Sequence, residues 1–153
     1  MTGVGIIETN GDRVIPVYYD AIKAGGGEFT ERLGIIFSGL QQVIREFRPD
    51  QAAIETVFVA HNAASAIKLG QARGAAVCAA ISLEVPVSEY SPRSVKQAIV
   101  GRGAADKTQV QHMVGLLLGI NSPIQADAAD ALAVALCHHH TSHTQARIAM
   151  MQG

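Results

Sequence analysis

Three acidic residues, Glu55, Asp127 and Asp130, lie among apolar or alanine-rich neighbours. Glu55 ends the short run Ala52-Ala53-Ile54, which is typical of a buried strand, and a carboxylate there is costly unless it is paired or bound to a metal. Because open α/β sheets bind ligands at the carboxyl ends of their strands, this position favours a functional role. The alternative is that Glu55 simply reaches solvent where the strand ends.

Asp127 and Asp130 are spaced three apart in an alanine-rich segment, so on a helix both side chains project from one face. One interpretation is ordinary helix capping, because an acid at a helix N-terminus is favoured by about 0.3–1 kcal/mol. The surrounding alanines would, however, let the helix approach the strand ends closely. Two acids beside Glu55 would then repel it unless a divalent cation lay between them, and carboxylate ligands suit Mg²⁺.

The elements that must position these acids follow from hydrophobic spacing and turn residues. The pattern predicts an α/β layer fold with an antiparallel strand pair at one side. We expect strands at Gly3–Thr9, Arg13–Ile22, Ala52–Glu55 and Val85–Tyr90, and helices at Leu33–Phe47, from Asn62, at Ser91–Val100, at Asp106–Leu118 and from Ala126. The last helix is expected to fray near His138, His139, His140 and His143.

Length and composition set further limits. A chain of 153 residues that is 48% hydrophobic suits one domain with a real core. Its apolar stretches fall short of the roughly 20 residues that a membrane span needs, and we see no secretory signal, so we expect a cytoplasmic protein without membrane association. Cys78 and Cys137 lie in helical patterns and are expected to be reduced, buried thiols.

Charge is unevenly distributed along the chain. The formal net charge is -1, but between Thr56 and Lys107 six Lys and Arg residues face three Asp and Glu. A local basic excess in an otherwise acidic chain is typical of a phosphate-binding face, although an excess of this size is also common on an ordinary solvated surface.

Several motifs in a consistent order carry a family resemblance from Thr2 to about Cys137. Together they resemble the RuvC family of bacterial Holliday-junction resolvases. The motifs are Ala53–Asn62, Ala66–Gly74, Val95–Gln97, Lys107–Gln111 and Gln125–Ala133.

The resemblance implies a crossover junction endodeoxyribonuclease with a ribonuclease H-like mixed sheet flanked by helices. It further implies a homodimer that uses two Mg²⁺ ions per site, with Mn²⁺ as a possible substitute. Glu55, Asp127 and Asp130 match three of the family's four acidic positions as catalytic residues and metal ligands. The implied partners are four-way junction DNA and the branch-migration proteins RuvA and RuvB. We assign residues 1–140 to the nuclease domain and 141–153 to a C-terminal tail.

The resemblance also implies DNA contacts outside the acidic set. Lys96 and Lys107 match basic positions expected to contact phosphate, with Arg73 as a weaker candidate. Phe58, three residues after Glu55, is expected to stack on an unpaired base, with a place in the core as the alternative.

The family's first catalytic Asp has no match, because Thr2-Gly3-Val4-Gly5 corresponds to the residues that normally follow its segment. We therefore expect the first, central strand to be missing and residues 1–153 to be incomplete and catalytically impaired, through a misassigned start. The alternatives are a truncated remnant that binds junctions without cleaving them and a ribonuclease H-like enzyme that acts on RNA.

Overall fold

The computed structural model describes residues 1–56 and 62–152. The elements in chain order are β1 (Thr2–Asn10), β2 (Arg13–Ile22), α1 (Phe29–Phe47), β3 (Ala52–Glu55), α2 (Ala63–Ser82), β4 (Val87–Tyr90), α3 (Pro92–Val100), α4 (Lys107–Leu118) and α5 (Ala126–Gln152). The predicted order of strands and helices is confirmed, with ends that differ by a few residues.

The first two strands form the expected antiparallel hairpin. β1 pairs with β2 from Thr2 opposite Ile22 to Asn10 opposite Arg13. Gly11 has a φ of 62°, which a glycine adopts without strain, so the Asn10-Gly11 turn reverses the chain as predicted.

The other two strands are parallel and are joined through α2. Ala52 lies opposite Val87 and Glu55 lies opposite Tyr90. Within the described residues the strands form two separate two-stranded sheets, β1 with β2 and β3 with β4. This differs from the single mixed sheet that we expected, because β1 and β3 each have one strand partner and are not hydrogen-bonded to each other.

Local side-chain chemistry starts and ends the helices. The Asn62 side chain accepts hydrogen bonds from the first turn of α2, and Asp106 and Gln109 form a reciprocal capping box at the start of α4. Gly101 and Gly119 end α3 and α4 in the left-handed conformation. These signals explain why the helix positions could be predicted from the sequence.

Helix α5 forms the centre of the core. Its residues Leu132, Leu136 and Cys137 are almost completely buried, and they pack with α3 and α4. The other side of α5 lies against β1, where a Cβ atom at Gly3 would come within 1.8 Å of the Asp127 carbonyl oxygen. Gly3 and Gly5 therefore allow the hairpin to approach the helix backbone.

Two sequence expectations are wrong in detail. Cys137 is buried, but Cys78 is exposed on α2. Helix α5 does not fray near the histidines but continues to Gln152. Two contacts hold this part of the helix: His138 is hydrogen-bonded to Tyr90 and Gln51, and the His143 ring lies 3.0 Å from the Asp12 carboxylate. The division into residues 1–140 and 141–153 stays a prediction. Among the described helices, none has the length and apolar character of a membrane span.

The close approach of β1 to α5 can be tested by adding a single methyl group. We expect Gly3→Ala to lower the free energy of unfolding by about 1–3 kcal/mol, because the new Cβ must displace backbone of α5. Gly34→Ala in α1, where the space around the Cβ is open, is the control and should leave stability unchanged or raise it by about 0.5–1 kcal/mol. Urea denaturation of the two variants measures the difference, and equal stabilities would contradict the packing.

Candidate active site

Glu55 stands at the carboxyl end of β3. The next residue, Thr56, donates its backbone N–H to the Tyr90 carbonyl oxygen at 2.8 Å, so the strand is held to β4 up to this point. Glu55 itself is exposed, which leaves its carboxylate accessible from solvent. The strand thus presents one acid at an edge where a ligand could approach.

Asp127 and Asp130 lie in the first turns of α5. Ala128 and Ala129, between them, are each only 1% exposed, so the helix buries its alanine face and turns both acids toward the surface. Gln125 fixes this start of the helix: its side-chain amide donates to Asp127 Oδ2, and its Oε1 accepts from the Ala128 N–H, both at 2.8 Å. Asp127 is therefore oriented before any ligand binds.

Lys107 connects the acids to α4. Its Nζ lies 3.0 Å from Asp130 Oδ2. The capping box of Asp106 and Gln109 sets Lys107 at the first residue of α4, and so fixes where the side chain starts. The ammonium group partly balances the negative charge of the site.

The pKa shifts show that these groups share one electrostatic environment. Glu55 is exposed as a residue, but neighbouring protein atoms displace part of the water around its carboxylate. This loss of water is the first cause of the raised pKa of Glu55, the negative charge of Asp130 is the second, and Lys107 and Lys96 oppose the rise. The pKa of Lys107 is raised chiefly by its hydrogen bond to Asp130, with further contributions from the charges of Asp127 and Glu55. Among the predicted residues, Lys107 and Asp130 are therefore in contact, while Glu55, Asp127 and Lys96 lie within electrostatic range of this pair or of each other.

The donor set has the chemistry of a site for a hard divalent cation, since it consists of carboxylate oxygens around which no cysteine or histidine is needed. In the part of the chain that the structure describes, no three acidic, His or Cys side chains already converge on a common point as metal ligands. Instead, the ammonium of Lys107 lies against Asp130, where it does part of the charge balancing that a cation would do. The negative charge of Asp130 also contributes to the raised pKa of Glu55, after the loss of water around the Glu55 carboxylate.

The other predicted residues lie elsewhere. The Arg73 guanidinium group is not paired with the carboxylate of Glu55. Its Nη2 lies 2.6 Å from Glu89 Oε1, and its Nε donates to the backbone carbonyl oxygen of Glu55 at 3.3 Å. Phe58 lies outside the described residues. Sequence reasoning assigned no role to Gln125 or Glu89, although a Gln immediately before an alanine-rich helix and an acid within a short strand were visible signals.

Comparison with known proteins identifies the family. A family model described as "Crossover junction endodeoxyribonuclease RuvC" matches residues 1–138. The chain belongs to the RuvC family. The resemblance found in the sequence motifs is therefore confirmed.

Individual RuvC proteins show the same likeness over most of their length. The Shewanella pealeana protein of that name is 51% identical over 149 residues, which cover 97% of this chain and 86% of the relative. The Methylococcus capsulatus protein is 50% identical over 151 residues, which cover 99% of this chain and 91% of the relative.

Solved structures of RuvC give the same result for the fold. "T. thermophilus RuvC in complex with Holliday junction substrate" matches with a TM-score of 0.86 and 33% identity, over 94% of this chain and 88% of that chain. A Thermus thermophilus RuvC structure matches with a TM-score of 0.82, 35% identity and the same coverage. The likeness supports the ribonuclease H-like α/β fold that the resemblance implies.

The electrostatic coupling at the site predicts opposite shifts from two substitutions. Asp130→Asn should lower the pKa of Glu55, because it removes a neighbouring negative charge, whereas Lys107→Met should raise it further. Titration of the Glu55 side-chain carboxyl by ¹³C NMR in metal-free buffer measures both shifts. If both substitutions moved the pKa in the same direction, or neither moved it, the proximity of these groups would be wrong.

Proposed function

We propose that this protein is a Holliday-junction resolvase, a nuclease that nicks two strands of like polarity symmetrically across a four-way DNA junction. The observation that carries the proposal is the ion pair of Lys107 with Asp130 within electrostatic range of Glu55 and Asp127, at the end of β3 and the start of α5, in a chain of the RuvC family. Such a site combines oxygen ligands for a cation with ammonium groups for phosphate.

The cofactor in this proposal is Mg²⁺, two ions per site, with Mn²⁺ as a possible substitute. When bound, the ions would supply activation of the attacking water and stabilisation of the leaving 3′ oxygen. Glu55, Asp127 and Asp130 would hold them. Because Asp130 is paired with Lys107 in the free protein, cation binding would compete with this ion pair and release the ammonium group toward the DNA.

The DNA contacts divide by chemistry. Lys96 and Lys107 would contact phosphates near the scissile bond, because both lie close enough to Glu55 to affect its pKa. Phe58 would stack on an unpaired base, as the resemblance implies. The resemblance implies Arg73 as a weaker candidate for a phosphate contact, and the ion pair with Glu89 already partly neutralises its charge.

A fourth carboxylate is also part of the proposal. β1 and β3 each have a single strand partner within the described residues, and both contact α5. We propose that a further strand, carrying the Asp that the family places first, pairs between them and completes the metal-binding set. In this proposal, a site held by Glu55, Asp127 and Asp130 without that Asp would bind junctions and cleave them slowly.

Assembly follows the family's pattern in our proposal. A homodimer would place two such sites across the junction, so that one protein cuts two strands. Large apolar side chains on the first half of α2, Ile67 and Leu69, are about 60% exposed and offer a surface for a second copy. RuvA and RuvB are the proposed branch-migration partners, and the cytoplasm is the proposed location.

Separating binding from cleavage tests the proposed role of the acids. We expect Glu55→Gln to keep junction affinity within about twofold and to reduce cleavage by at least about a hundredfold, because the neutral amide no longer supplies a charged metal ligand. The test uses a synthetic four-way junction. Gel-shift titration in Ca²⁺ measures binding, and single-turnover reactions in Mg²⁺ measure cleavage, both with whichever of residues 1–153 and the upstream-extended chain cleaves faster.

Glu28→Gln is the matched control for this substitution. It neutralises an exposed carboxylate that makes no cap hydrogen bond at the start of α1, so it should cleave normally. The metal-binding role would be contradicted if Glu55→Gln lost junction binding and its cleavage rate fell only as much as its junction affinity. Faster cleavage of an RNA–DNA hybrid than of the junction would favour a different ribonuclease H-like activity.

The proposed fourth carboxylate is tested by adding coding sequence. We expect the chain extended to the next upstream in-frame start to cleave the junction at least about a hundredfold faster than residues 1–153, since two-metal sites depend on every carboxylate ligand. Equal cleavage by both proteins would show that the acids described here suffice. Junction binding without cleavage by both would favour the non-catalytic remnant.

A further inference from the structure

Arg73 connects the middle of α2 to both strands of the second sheet. Its guanidinium group makes an ion pair with Glu89 on β4, with Nη2 and Oε1 2.6 Å apart. The same group donates from Nε to the backbone carbonyl of Glu55, the last residue of β3, at 3.3 Å. The Arg73 side chain is only 23% exposed, whereas that of Glu89 is 56% exposed. One side chain therefore joins three elements beside the candidate active site.

The bond to the Glu55 carbonyl has a specific mechanical effect. At the two ends of the strand, Ala52 donates to Pro86 and Thr56 donates to Tyr90. In a parallel pair alternate residues bond to a given neighbour, so the Glu55 carbonyl does not bond to β4. Arg73 donates to this carbonyl, whose second lone pair stays available to the further strand proposed beside β3, and so restrains the backbone from which the Glu55 carboxylate extends.

We propose that Arg73 is a positioning residue for Glu55, and that Glu89 positions Arg73 in turn. The inference rests on the proposed function, since it names the group that holds one of the proposed metal ligands in place. This positioning role differs from that of a phosphate contact, because the guanidinium group already donates to two acceptors within the protein.

The chemistry of the pair separates these two roles. If Arg73 were a phosphate contact, neutralising Glu89 would release its positive charge and strengthen junction binding. If Arg73 positions Glu55, neutralising Glu89 removes part of what holds the guanidinium, so the metal site weakens. Glu89→Gln and Arg73→Ala should then act in the same direction. Residues that orient metal ligands commonly affect metal affinity by about 10–100-fold.

The experiment measures Mn²⁺ binding by electron paramagnetic resonance, with Glu55→Gln defining the part of the binding that depends on this site. We expect Arg73→Ala to weaken that binding by about tenfold and Glu89→Gln to weaken it less. Arg73→Lys should restore part of the loss, because one ammonium can reach only one of the two acceptors. Lys68→Ala is the control, since it removes one exposed positive charge from the same helix and should change nothing.

A second readout follows the strand directly. Hydrogen exchange of the Thr56 amide, which donates to Tyr90, should accelerate in Arg73→Ala and not in Lys68→Ala. This measurement uses folded protein and needs neither DNA nor cleavage. Because Glu89 is mostly exposed, Glu89→Gln keeps the test informative even if Arg73→Ala folds poorly.

The outcomes distinguish the inference from the function on which it rests. Glu55-dependent Mn²⁺ binding that is equal in Arg73→Ala, Glu89→Gln and the unmodified protein would overturn the positioning role and leave the proposed nuclease intact. Tighter junction binding by Glu89→Gln, with unchanged Mn²⁺ affinity, would make Arg73 a phosphate contact. If the unmodified protein, in the form extended to the upstream start, bound no Mn²⁺ through Glu55, the proposed metal site and the positioning role would both fall.

Discussion

The approach of β1 to the first turns of α5 fixes the position of two of the three acids. Gly3 and Gly5 lie so close to the helix that a side chain at either position would overlap the backbone of Asp127 or Leu132. On the same helix, Ala128 and Ala129 are buried, while Asp127 and Asp130 point away from them. The absence of a side chain at Gly3 and Gly5 and the small side chains of Ala128 and Ala129 together allow this contact, and the direction of the acids follows from it.

A second constraint is electrostatic and couples the elements across the site. Glu55 and Asp130 come from different parts of the chain, and their repulsion contributes to the raised pKa of Glu55. Lys107, placed by the capping box of α4, compensates through its ion pair with Asp130. The energy of this arrangement is lowered by any added positive charge, whether a lysine or a cation, and this is why a carboxylate cluster can be tolerated at the end of a strand.

Much of this arrangement could be predicted from the sequence because its signals are local. Asn10-Gly11 gives the hairpin, Asn62 and Asp106 give helix starts, and the spacing of Asp127 and Asp130 gives their common face. The pairing of strands depends on residues far apart in the sequence. The expected single sheet is replaced, within the described residues, by two separate strand pairs. The partners of Arg73 were likewise out of reach, because Glu89 and the Glu55 carbonyl meet it only through the parallel register of β3 and β4.

The long last helix shows how tertiary contacts can override a local pattern. A run of histidines with polar neighbours gives no apolar periodicity, yet α5 continues to Gln152.

His138 forms the contact that ties this helix to the second sheet. Burial lowers the pKa of His138, which favours the neutral ring. Since the Gln51 oxygen at 2.5 Å can only accept, the ring donates from Nε2 and accepts the Tyr90 hydroxyl hydrogen at Nδ1, at 2.7 Å. Tyr90 is also the register partner of Glu55, and α5 also packs on β1. One helix therefore ties the two strand pairs together, and the distance between Glu55 and the acids of α5 depends on both contacts.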